Sequence, residues 1–157
     1  RQMCIRDRKY AAMDRILAIG EIGLDYYWDE PERSIQKKWF EAQIELARDV
    51  KLPIIIHSRD AAKDTYDIMK ALHAEEIGGV VHCFSYSKEM ARQFLDMGFY
   101  IGIGGVVTFK NAKTLKEASD AAKDMLKKDP ELKLENNVYL KQKVAEYTIK
   151  CLEKINL

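Results

Sequence analysis

Three side chains able to bind a metal, Glu21, His57 and His82, each close a short apolar run: Ile16-Leu17-Ala18-Ile19-Gly20, Leu52-Pro53-Ile54-Ile55-Ile56 and Gly79-Val80-Val81. One carboxylate and two neutral imidazoles form a donor set suited to zinc or another borderline divalent ion. Three protein ligands leave a coordination position for water, whose pKa the metal lowers far enough to give hydroxide near neutral pH. Hydrolysis is the reaction that this pattern implies. A lone histidine after an apolar strand is more often a hydrogen-bonded core or surface group. The case for a set is that two of the chain's 3 histidines occupy equivalent strand ends. The third, His73, lies in a helix-to-strand connection and reads as structural.

Residues beside these ends extend the list. Asp25 either supports a ligating histidine from behind or makes a turn. Arg59 either grips a phosphate with both arms of its guanidinium or sits in a structural ion pair. Tyr26, Tyr27 and Trp28 either stack on bases or pack a loop against the core. Arg59 and Tyr26 are the candidate substrate contacts, and Asp25 is the candidate support. Ser58, Ser85 and Ser87 lack a G-x-S-x-G context, and Gly102, Gly104 and Gly105 complete neither a dinucleotide fingerprint nor a P-loop. Cys83 follows His82, so strand alternation turns it to the other face and toward core packing.

The elements that must position these groups alternate between apolar runs and amphipathic segments, the signature of β-α units building a parallel sheet. Four runs count as strands, the last being Phe99-Tyr100-Ile101-Gly102-Ile103-Gly104. The first helix is expected after a capping box of Asp29 and Glu32, with Pro31 in its first turn. Its sheet-facing stripe would be Ile35, Trp39, Ala42, Leu46 and Val50. A second helix carries Ile68, Met69 and Leu72. A third carries Met90, Phe94 and Met97, with Gly98 placed to end it. Right-handed crossovers put successive strands side by side, and functional groups then gather beyond the strands' C-terminal ends, where Glu21, His57 and His82 are expected. From Lys110 onward there is no strand signal. Two helical stretches are expected, parted near Asp129-Pro130, the second with Leu140, Val144, Tyr147, Cys151 and Ile155 on one face.

Composition fits one globular unit: 157 residues, 47% hydrophobic and 32% charged. The 26 basic and 25 acidic side chains nearly cancel, so no global field marks a nucleic-acid or membrane binder, and a polyanion would have to be held locally. Three widely spaced cysteines suggest neither a disulfide framework nor a zinc finger, and a reducing cytoplasmic setting suits them. No apolar run approaches the ~20 residues that span a bilayer.

Taken together, Gly20-Glu21-Ile22-Gly23-Leu24-Asp25-Tyr26-Tyr27, Pro53-Ile54-Ile55-Ile56-His57-Ser58-Arg59 and Val81-His82-Cys83-Phe84-Ser85 resemble, in order and spacing, the hallmark segments of the TatD family of metal-dependent deoxyribonucleases. The stretch from Gly98 to Ala112 is similar to that family's next strand and loop, so the resemblance runs from about Ile16 to Leu115. It implies an amidohydrolase-like TIM barrel that cleaves phosphodiester bonds in DNA with two divalent metals, among zinc, magnesium and manganese. It further implies that Glu21 bridges the metals as the catalytic carboxylate while His57 and His82 hold the second ion.

The departures are equally specific. The family's opening His-x-His pair has no counterpart in residues 1–15, its late Glu-Thr-Asp aspartate is absent, and Tyr86 stands where the family usually has glycine. A full barrel takes about 250 residues, so four strands amount to half of one. The expected architecture is therefore an α/β half-barrel of four parallel strands over residues 9–117, with a non-native tail at 1–8 and a helical extension at 118–157. The expected function is DNA hydrolysis impaired by a missing subsite, with at most one metal bound. The alternative is an inert metal-binding fragment, or an interaction module that self-associates through the open sheet or the C-terminal helices.

Overall fold

The structure is a computed structural model that describes residues 8–13 and 16–128. Four strands, β1 (Ile19–Asp25), β2 (Ile54–Arg59), β3 (Gly79–Val81) and β4 (Tyr100–Ile101), form one parallel sheet in the order β1-β2-β3-β4. Helices α1 (Arg33–Val50), α2 (Ala62–Ala71) and α3 (Lys88–Asp96) make the three crossovers, and α4 (Lys113–Lys128) follows β4. Sequential strand order with crossovers of one hand keeps every helix on the same side of the sheet, as in a TIM barrel. The fold is the α/β half-barrel that the sequence implies.

Strand alternation then sorts the side chains. Ile22 and Leu24 of β1, Ile54 and Ile56 of β2 and Val81 of β3 are buried under Phe40, Ile44 and Ala47 of α1, Met69 of α2, Ala91 and Phe94 of α3, and Leu115 and Ala118 of α4. The intervening residues, Glu21, Gly23 and Asp25, Ile55, His57 and Arg59, and Val80, point to the opposite face and are half-buried or exposed. No described element covers that face, and Glu21, Asp25, His57 and Arg59 lie on it, whereas Tyr26 packs against the core on the helix side.

Several expectations fail in phase rather than in kind. β1 starts at Ile19, not Ile16, because pairing begins only where Ile19 meets Ile54. Glu21 consequently lies inside the strand, and Asp25 ends it. The stripe on α1 is shifted by about one position: Gln36, Phe40, Ile44, Leu46 and Ala47 are buried, whereas Ile35 is 42% and Trp39 39% exposed. The capping box does not form. Glu32 occupies the N-cap without a side-chain bond, Pro31 precedes the helix, and Asp29 Oδ1 accepts from Arg33 Nε at 2.8 Å.

The third helix ends as expected, with Gly98 at φ 83 beyond the C-cap Met97. Helix α4 continues across residue 117, and the second C-terminal helix, with Leu140, Val144, Tyr147, Cys151 and Ile155, lies outside the described residues. Among the described residues no helix is long and apolar enough to cross a membrane.

Candidate metal centre

Asp25 and His57 meet because β1 and β2 run unusually close at Gly23. This glycine is level with His57 and has a φ of 143°, and a Cβ on it would stand 1.8 Å from the His57 carbonyl oxygen. Only glycine permits that approach. One strand pleat further, Asp25 Oδ2 lies 3.0 Å from His57 Nε2. Asp25 Oδ1 accepts from the Tyr27 amide at 3.1 Å. Burial pushes the Asp25 carboxyl up, but the His57 hydrogen bond, the Tyr27 amide and the positive field of His57 and Arg59 outweigh it, and its pKa falls below the ordinary value. An ionised Asp25 accepts only, so the proton in this bond sits on His57 Nε2, and Nδ1 is the ring atom left for a metal.

The second pair stands one strand away. The His82 amide donates to the Ile56 carbonyl at 2.8 Å, which sets His82 beside His57 on the open face. Its Nε2 lies 3.5 Å from Glu21 Oε1 and 3.0 Å from Cys83 Sγ. Cys83 is exposed, with a φ of 46°, rather than packed in the core. The alternation that would have buried it stops at Val81, where β3 ends.

Glu21 in β1, His57 in β2 and His82 just past the end of β3 thus stand on neighbouring strands or strand ends, and a carboxylate with two imidazoles suits a divalent ion. The side chains rest as two carboxylate-imidazole pairs. Among the described residues no three His, Cys, Asp or Glu side chains converge on a single point.

The other candidates separate clearly. Tyr26 is committed to the fold: its hydroxyl donates to Asp64 Oδ2 at 2.6 Å, and the Arg33 guanidinium covers its ring at 4.3 Å. Burial and the Asp64 carboxylate together raise its pKa. Arg59 lies over the Tyr27 ring at 3.8 Å and makes no ion pair among the described residues. His73 is exposed, with Nδ1 3.2 Å from Glu75 Oε1.

Sequence reasoning passed over Gln36, which is buried on α1. Its Oε1 accepts from the Asp25 amide at 2.8 Å, and its Nε2 donates to the carbonyls of Asp25 at 3.0 Å and Pro31 at 2.8 Å. A polar side chain repeating with the apolar row Phe40, Ile44 and Ala47 was the available signal. Tyr86 was noted only as a departure. Its hydroxyl lies 2.9 Å from Ser58 Oγ and accepts from the Ala61 amide at 3.2 Å, while Ser58 also meets Thr65 Oγ1 at 2.9 Å. This buried network locks the end of β2 onto α2.

Parallel strands in sequential order, helices on one face and metal-binding side-chain types on the other define one part of a barrel of the metal-dependent hydrolase class. The chain belongs to the TatD-related DNase family, whose sequence model matches residues 4–127. It is 52% identical over 110 residues to the "uncharacterized metal-dependent hydrolase YabD" of Bacillus subtilis, a match covering 70% of this chain and 43% of that protein. It is 41% identical over 112 residues to the "uncharacterized metal-dependent hydrolase YcfH" of Escherichia coli, covering 71% and 42%. Among solved structures, the TatD homologue YjjV of Escherichia coli superposes with a TM-score of 0.68 at 31% identity, over 74% of this chain and 44% of that one. An uncharacterized amidohydrolase of Saccharomyces cerevisiae, at 21% identity and a TM-score of 0.57, shares the fold. The chain spans less than half the length of the relatives it matches.

Proposed function

We propose that this chain contributes one half of the active site of a metal-dependent hydrolase that cleaves phosphodiester bonds in DNA. The supporting observation is the pairing of Asp25 with His57 at 3.0 Å beside Glu21 with His82 at 3.5 Å on the uncovered face. Glu21, His57 through Nδ1 and His82 would hold one divalent ion, zinc, magnesium or manganese, with Glu21 as the catalytic carboxylate. When bound, that ion supplies a water of lowered pKa and a positive charge for the phosphoryl oxygens. Asp25 holds the His57 ring in one tautomer and orientation, and Gln36 holds Asp25. Ile55 and Val80 supply apolar surface beside the imidazoles.

No counterpart of the family's His-x-His pair or late aspartate occurs in this sequence, so turnover by this chain alone is weak. Purified protein incubated with DNA and each metal should show slow hydrolysis that Glu21→Gln abolishes. Absence of turnover with every metal refutes intrinsic activity.

A second reading, a metal-binding but inert unit, is favoured by the presence of Glu21, His57 and His82 without a counterpart of the His-x-His pair or the late aspartate. It expects about one metal per chain, lost in a His57→Ala and His82→Ala double variant. A protein that cannot be loaded with metal refutes both readings. The uncovered face and the outer edges of β1 and β4 give self-association a surface, which sedimentation at low and high concentration tests. The exposed free thiol of Cys83 suits a reducing, cytoplasmic setting.

A further inference from the structure

The turn that follows β1 presents aromatic surface that the fold does not use. Tyr26, its first residue, is anchored through Asp64 and Arg33, whereas Tyr27 is 56% and Trp28 68% exposed. Tyr27 and Trp28 touch edge to face, with ring centroids 4.9 Å apart at 85°. One face of Tyr27 carries the Arg59 guanidinium at 3.8 Å. Trp28 has no such cover, and it is the most exposed large apolar side chain among the described residues.

This surface is fixed to the candidate metal centre. Asp25 Oδ1 accepts from the Tyr27 amide while Asp25 Oδ2 contacts His57, so one carboxylate ties the aromatic turn to a candidate ligand. The Tyr26 amide donates to the Arg59 carbonyl at 2.9 Å, holding the turn against the end of β2. A planar apolar surface, a guanidinium that makes no ion pair among the described residues and the candidate metal centre thus lie along one rim. Those are the groups that a base, a neighbouring phosphate and a scissile phosphate require.

We propose that Trp28, braced by Tyr27, stacks on a nucleobase of DNA adjoining the cleaved phosphate, and that Arg59 holds the phosphate between them. This builds on the reading of the open face as a phosphodiester hydrolase site. Tyr26, expected from sequence with Arg59 as a substrate contact, anchors the turn through Asp64 and Arg33 in this arrangement.

Binding is measured in EDTA, so that hydrolysis is off, with a short oligothymidylate and an abasic sugar-phosphate chain of equal length. The full chain should prefer the base-bearing oligomer by roughly 5- to 150-fold, the range that stacking of one base on an aromatic side chain gives. Trp28→Ala should erase that preference while keeping the abasic affinity, and Trp28→Phe should keep most of it. Arg59→Gln should weaken both oligomers equally and lower the salt slope by about one. The chain has 2 tryptophans, so a Trp39→Phe background leaves Trp28 as the sole indole, and its fluorescence should quench with oligothymidylate only. Equal affinity of the unaltered chain for both oligomers, or a preference that survives Trp28→Ala, overturns the stacking role and leaves the hydrolase reading standing. Binding of neither oligomer overturns both.

Discussion

The two faces of the sheet are made from the same three strands and differ by one residue of phase, yet they carry opposite chemistry. On the helix side, Ile22, Leu24, Ile54, Ile56 and Val81 are buried against Phe40, Ile44, Met69 and Phe94. On the other side, Glu21, Asp25, His57, Arg59 and His82 stand half-buried or exposed, Asp25 paired with His57, Glu21 with His82, and Arg59 lying over Tyr27. Stability is thus concentrated on one face and chemistry on the other. A change on the helix side should move folding and leave ligand preference alone, and a change on the open side should do the reverse.

The largest effect is expected at Phe94, which is fully buried and packs edge to face with Tyr66 and Phe84. Phe94→Ala should cost about 3–5 kcal/mol in urea unfolding, enough to exhaust much of a small domain's stability. A cost below about 1 kcal/mol would show that the helix side is not the core.

Gly23 tests the seam between the faces. A Cβ there meets the His57 carbonyl oxygen at 1.8 Å, so Gly23→Ala must push β1 away from β2. It should destabilise by about 1–3 kcal/mol and also weaken metal binding, because the Asp25 contact to His57 opens with the strands. Loss of stability with unchanged metal affinity would separate the seam from the site.

Gln36 crosses the boundary in the other direction, as a buried helix residue whose three hydrogen bonds end on the site side. Gln36→Leu keeps the volume but strands the Asp25 amide and two carbonyls. The expected loss is about 1–3 kcal/mol, with metal affinity falling alongside. On the open face itself, His57→Ala and His82→Ala should each change stability by less than about 1 kcal/mol while abolishing metal retention, since neither imidazole is packed in the core. A loss comparable to that of Phe94→Ala would erase the distinction between the faces.

The sequence disclosed the strand order and the ligand-type residues because both depend on local pattern. Continuous apolar runs mark strands covered by helices, and His57 and His82 follow Ile54-Ile55-Ile56 and Val80-Val81 in the same way. What it did not disclose depends on partners. The start of β1 is set by where Ile54 waits on β2, not by the apolar stretch Ile16-Leu17-Ala18. The buried phase of α1 was misassigned because Ile35 and Trp39 repeat as regularly as Phe40 and Ile44, and burial of the polar Gln36 makes sense only once the Asp25 backbone is beside it. Cys83 was assigned to the core by alternation that ends two residues earlier, and its φ of 46° turns the chain where sequence shows nothing unusual.

The smallest effect concerns acid stability on the rim where the two faces meet. Asp64 of α2 accepts from Tyr26 and pairs with Lys37 of α1 at 2.7 Å. The Lys37 ammonium and the Tyr26 hydroxyl hold its carboxyl below the ordinary carboxylate range, with burial opposing them. A folded pKa depressed below the unfolded one contributes stability that is fully present above the unfolded value and is lost as pH falls through the folded value. The contribution is therefore intact at neutral pH and fades below pH ~4, screened throughout because the pair is partly exposed. In Asp64→Asn the slope of stability against pH in that acidic window should flatten, with metal affinity at neutral pH unchanged. An Asp64→Asn variant that loses metal at neutral pH while retaining its acid slope would mean that the Tyr26 anchor belongs to the chemical face rather than to the supporting one.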